Sequence, residues 1–115
     1  MGRCKSADNE YQTKSKMSFT IQLHPEVVVD LKESHQWYER RSEGLGDRFI
    51  SSVNKRLNEI AKTPERYAKK QGSYREVMIA FFPYLIVYEV FKKEQIIFVS
   101  YILHAKRDPT IKYKR

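Results

Sequence analysis

From Ser18 to Leu23 the chain alternates: Phe19, Ile21 and Leu23 are apolar, while Ser18, Thr20 and Gln22 between them are polar. A period of two puts one set on each side of an extended chain, which predicts a strand over 18–23 with one buried face. The period then changes. Pro25 suits the first turn of a helix, where its missing N–H costs nothing. Val27, Val28, Leu31, His35 and Tyr38 follow at helical spacing, predicting a helix over 25–42. The break "SEGLGD" carries Gly44 and Gly46 for a helix end and reversal, with Asp47 where an anion favours the start of the next helix. Leu45, Phe49, Val53, Leu57 and Ile60 form a second stripe, predicting a helix over 45–61.

Thr63 and Pro64 close that helix, and "ERYAKKQGS" reads as a basic, polar loop. Strands are predicted over 74–79, 84–91 and 95–103. Pro83 interrupts the first pair because it cannot donate to a ladder, and "KKE" turns the second pair into a hairpin. The order β-α-α-β-β-β groups helices apart from most strands, which argues an α+β fold: an antiparallel helical hairpin on a mainly antiparallel four-stranded sheet. A hairpin follows from the short connection between the helices. In the second strand Tyr74, Glu76 and Met78 share one side, and Arg75, Val77 and Ile79 the other. Neither side is cleanly apolar.

Composition adds bounds to this pattern. A chain of 115 residues holds one hydrophobic core, and eight Tyr, six Phe and one Trp supply large packing units. The polar leader gives way to alternation at Met17, so residues 1–16 are expected to be a flexible extension and residues 17–115 a single domain. The leader lacks the apolar stretch of a secretory signal, no run is long enough to span a bilayer, and the one cysteine, Cys4, has no internal partner. A reducing cytoplasm is the expected setting.

The net charge of +8 favours encounter with polyanions or acidic protein surfaces. It concentrates at the C-terminal end, where Lys106, Arg107, Lys112, Lys114 and Arg115 face only Asp108, and Lys62, Arg66, Lys69, Lys70 and Arg75 add to it ahead of the sheet. If these converge they form a polyanion-binding patch, with Tyr113 available to stack on a base. Spacings for a metal site, a phosphate-cradling glycine loop or a nucleophilic serine elbow are absent, so no cofactor or metal is expected. His104 reads either as a structural imidazole bonded to backbone at a strand end or as a general acid or base. Arg107 offers a planar fork for phosphate or carboxylate, or an ion pair with Asp108 or Glu76.

The element order, the turn "FPY" leading into "IVYEV", the helix end "IAKTPERY" and the closing H-x-x-R-x-P of His104, Arg107 and Pro109 together resemble the RelE/ParE superfamily, the toxins of bacterial type II toxin-antitoxin modules. The resemblance spans Met17 to about Tyr113. It implies a small acidic or amphipathic antitoxin as partner, and growth inhibition when the toxin is free. It also implies a choice of mechanism. RelE-like members cut messenger RNA on the ribosome, and for that activity Arg75, Arg107 and Tyr113 match the expected positions, with His104 as an acid. However, Val77 and Leu85 stand where further basic residues are expected. ParE-like members bind and inhibit DNA gyrase. The "FPY" and H-x-x-R-x-P phrases favour the ParE side and the plasmid-stabilisation group, which makes Arg75, Lys106, Arg107, Lys112, Lys114 and Arg115 the expected target-binding set. A ribosome-dependent RNase, and a toxin-like fold with a purely regulatory binding role, are the alternatives.

Overall fold

A computed structural model describes residues 18–106. The expected extension over 1–16, and Arg107, Lys112, Tyr113, Lys114 and Arg115, lie outside the described residues.

The first strand, β1, is Thr20–Leu23. His24 ends it, donating its N–H to the Val99 carbonyl at 2.9 Å, and then caps the first helix by accepting from the Glu26 N–H on Nδ1 at 3.0 Å. This helix, α1, is Pro25–Arg41, with the proline in the first turn where no partner for its nitrogen is required. The second, α2, is Leu45–Lys62 and buries Phe49, Val53, Leu57 and Ile60, the stripe its spacing predicts. Each side chain of that size contributes about 1.5–3 kcal/mol when removed from water.

The hairpin between the helices is fastened by one carboxylate. Glu39 near the end of α1 accepts from the N–H groups of Gly44 at 2.7 Å and Gly46 at 2.9 Å, placing negative charge on the open amides at the start of α2. Gly44 reverses the chain at φ 84°. Gly46 lets the helices touch, since a Cβ there would lie 2.5 Å from the His35 carbonyl oxygen and 2.8 Å from Glu39 Oε1.

After α2 a single 3-10 turn, Pro64–Arg66, leads into β2 (Lys69–Gln71), β3 (Tyr74–Met78), β4 (Tyr84–Phe91) and β5 (Ile96–His104). The sheet therefore has five strands in the order β1-β5-β4-β3-β2, and the four-strand expectation is corrected. The added strand, β2, falls within the segment read as a polar loop. All three of its residues are exposed, so it carries no alternation to detect, and only its pairing with β3 makes it a strand. β1 lies parallel to β5, and all other pairings are antiparallel.

A bulge complicates the long hairpin. Val87 pairs with Tyr101 and Tyr88 with Val99, so Ser100 is an extra, fully buried residue. The bulge shifts the facing pattern by one: Ile97, Val99 and Ile102 all belong to the helix-side core. That core also holds Tyr84, Ile86 and Tyr88 of β4. On the opposite face Val87, Tyr101 and Leu103 form a smaller cluster with Tyr74 and Leu85 packed against it.

Candidate functional site

Among the described residues, Arg75 and His104 stand at different levels of the sheet. Arg75 pairs across the ladder with Tyr88, whereas His104 pairs with Tyr84. Four residues along β4 separate the two levels, about 13 Å at the usual rise of a strand.

Arg75 is fastened to its own fold. Its side chain is only 11% exposed, and Nη1 donates to the Tyr67 carbonyl at 2.6 Å and to the Glu65 carbonyl at 3.4 Å. Beside it the Tyr88 hydroxyl donates to the Pro64 carbonyl at 2.6 Å. The two side chains thus hold the 3-10 turn against the sheet. Burial pushes the Tyr88 hydroxyl pKa far above its ordinary value of 10.0, and the neighbouring Arg75 charge only partly opposes this. Val77 packs against the helix-side core and Leu85 against the opposite cluster, so neither position presents a polar group.

At the far end of β5, His104 accepts from the Lys106 N–H on Nδ1 at 3.2 Å and sets its ring edge-on to Tyr84 at 5.4 Å. Tyr84 Oη in turn lies 3.1 Å from Ser34 Oγ on α1. These contacts brace the strand end. The Ala105 N–H donates to the Pro83 carbonyl at 2.8 Å, tying this end to the turn over 79–83. Lys106 stands exposed beside that junction.

Three features escaped the sequence reading. A groove of about 320 Å³ runs along α1, lined by Leu23, Val28, Leu31 and Ile50. Val28, Val29 and Trp37 are exposed on the same helix, and the Arg41 guanidinium lies 4.1 Å from the Trp37 ring centroid. Phe81 is exposed at the turn before β4. Its only sequence signal is a second phenylalanine before proline where one would fill the core. Finally, His35, Glu39 and Asp47 bring donor atoms within 4.8 Å of one another. Glu39 spends both oxygens on backbone amides, and His35 Nε2 lies 2.9 Å from Asp47 Oδ1, so the trio is accounted for as the clasp of the helical hairpin. Among the described residues, no helix is long and apolar enough to cross a membrane.

Comparison with known proteins bears on the family and the fold. The family described as ParE toxin of type II toxin-antitoxin system, parDE, matches residues 21–109. The chain belongs to the ParE toxin family. Among solved structures, a chain described as the chromosomal ParDE TA system from P. aeruginosa superposes with a TM-score of 0.66 at 10% identity, covering 76% of this chain and 97% of that one. At that identity the likeness shows a shared fold. No individual curated protein matches. As a ParE-family toxin the chain keeps the helical hairpin and the sheet, and the resemblance drawn from "FPY" and H-x-x-R-x-P is confirmed at the family level.

Proposed function

We propose that this ParE-family chain is the growth-inhibiting half of a two-protein module in the bacterial cytoplasm, and that the free toxin acts by binding its target rather than by cutting RNA. DNA gyrase is the leading target. The observation that carries the binding reading is the commitment of Arg75 to the Tyr67 and Glu65 carbonyls, with Val77 and Leu85 packed among apolar side chains. Holding and polarising a scissile phosphate calls for donors free to follow charge as it develops, and removing one such donor typically costs about 3–4 kcal/mol of barrier lowering. A guanidinium spent on backbone carbonyls is a poor candidate for that work.

The partner that restrains the toxin is an antitoxin with an acidic, amphipathic segment. The groove along α1 offers an apolar floor for its helix, and Lys32 on the rim offers positive charge. The basic end at Lys106, continued in sequence by Arg107, Lys112, Lys114 and Arg115, is left to engage the target.

Induction of the chain without antitoxin separates the readings. Arrested growth with altered plasmid supercoiling and intact transcripts is the expected outcome. Codon-linked cuts in messenger RNA with normal supercoiling would replace the binding reading with the RNase one. Growth without arrest would leave a regulatory binding protein.

A further inference from the structure

Phe81 is 89% exposed and has φ 69°, in the left-handed region that side chains other than glycine and asparagine rarely enter. The folded chain gains little from either property: the ring is in water and the backbone is strained. The surroundings explain how the residue is held there. Phe82 is wedged against Tyr38 and Phe49, with ring centroids 5.0 and 5.4 Å apart and near-perpendicular planes. The Ile79 N–H donates to the Tyr84 carbonyl at 3.1 Å, and the Tyr84 N–H donates to the Phe82 carbonyl at 2.8 Å. With Phe82 packed against the core and both flanks fixed, the turn drives Phe81 outward. A glycine would satisfy the same turn without strain. Strain and exposure that the fold does not use are features of contact sites.

We infer that Phe81 is the aromatic anchor by which the free toxin grips a protein target, inserting into an apolar pocket whose rim is acidic. This rests on the growth-inhibitor reading above and names the contact it makes. Aromatic side chains are enriched at the cores of protein interfaces, and a backbone fixed on both sides of Phe81 lowers the freedom lost there on binding. A cleft of about 290 Å³ opens beside the ring, lined by Arg48, Asp47, Ser51 and Ser52. Lys106 follows the residue that bonds the same turn, at the basic end of a chain carrying +8. Arg48 in the cleft and Lys106 at the junction set two cations against the one Asp47 carboxylate, an excess that favours an acidic rim. The Asp47 carboxylate and the serine hydroxyls within the cleft suit a mixed protein surface better than a row of phosphates. The cleft adjoins the groove assigned to the antitoxin across the His35–Asp47 pair but shares none of its lining residues: α2 presents Ile50 to that groove and Arg48, Ser51 and Ser52 to this cleft.

The test compares Phe81→Gly and Phe81→Trp with the wild-type chain. Three readouts are needed: urea denaturation, antitoxin affinity by calorimetry, and survival after induction without antitoxin. Phe81→Gly is expected to be at least as stable as wild type and to bind antitoxin equally, yet to raise survival by tenfold or more, while Phe81→Trp stays toxic. A Phe81→Gly chain that kills as well as wild type would overturn the inference. So would a tenfold loss of antitoxin affinity, which would move Phe81 to the antitoxin interface. Phe81-dependent binding of the purified chain to a single-stranded DNA or RNA oligonucleotide would overturn the choice of a protein target. Harmless induction of the wild-type chain would instead defeat the toxin reading itself, and the anchor with it.

Discussion

Arg75 illustrates how a side chain that suggests ligand binding can be consumed by folding. Its sequence context, basic and at the start of a strand, suits contact with a phosphate. In the fold its fork faces the carbonyls of Glu65 and Tyr67 at the end of the 3-10 turn, beside the Tyr88 hydroxyl on the Pro64 carbonyl. Replacement by methionine, which keeps the apolar stem, leaves those carbonyls without their charged donor. A loss of about 1–3 kcal/mol is expected in urea denaturation, with antitoxin affinity retained. Tyr88 beside it gives a pH-dependent counterpart. Because burial raises its pKa in the folded state above the unfolded value of 10.0, the folded chain holds this proton more tightly. Its contribution is complete below pH 10 and is lost as pH rises beyond that toward the folded value. In Tyr88→Phe the alkaline fall in stability should be shallower than in wild type, measured as denaturation midpoints between pH 8 and 11.5. At neutral pH the same variant should be less stable by about 1–2 kcal/mol, through the Pro64 carbonyl left without its donor.

The two glycines of the helical hairpin do different work, and substitution separates them. Gly44 has φ 84° and open space around it, so Gly44→Ala costs only backbone strain, about 1–2 kcal/mol. Gly46→Ala would place a methyl group 2.5 Å from the His35 carbonyl oxygen, a backbone atom that cannot turn aside. The helices must then separate and loosen the Glu39 cap. A larger loss, about 2–4 kcal/mol, is expected for Gly46→Ala, combining overpacking with a weakened cap. Thermal unfolding of both variants with their antitoxin removed would show the order. The predicted strands and helices fall within about two residues of those observed, because one-sided burial writes its period into the sequence. The strand β2 was illegible for the opposite reason: Lys69, Lys70 and Gln71 are all exposed, and a short edge strand with no buried face has no pattern to show.

Over the molecule as a whole, the proposed function assigns approach to charge and grip to apolar surface. A chain of +8 should meet an acidic antitoxin at a rate that falls with ionic strength, since the Debye length shrinks from about 10 Å at 0.1 M to about 3 Å at 1 M salt. Stopped-flow measurement should show the association rate dropping about tenfold or more between 0.05 and 0.5 M salt, with dissociation changing far less if the α1 groove supplies the grip. A dissociation rate that rises in step would place ion pairs, not apolar contacts, at the centre of the complex.

Periodicity, turn residues and charge were enough to obtain an α+β chain with a helical hairpin, a sheet ending in a basic segment, and a family resemblance now matched over residues 21–109. These properties are local: each follows from the spacing of a few neighbouring side chains. What a guanidinium or an aromatic ring faces is set by residues distant in the chain. The pairing of β3 with β4 and the placement of the turn after α2 set the Arg75 guanidinium against the Tyr67 and Glu65 carbonyls. The packing of Phe82 against Tyr38 and Phe49 left Phe81 in water at a positive φ.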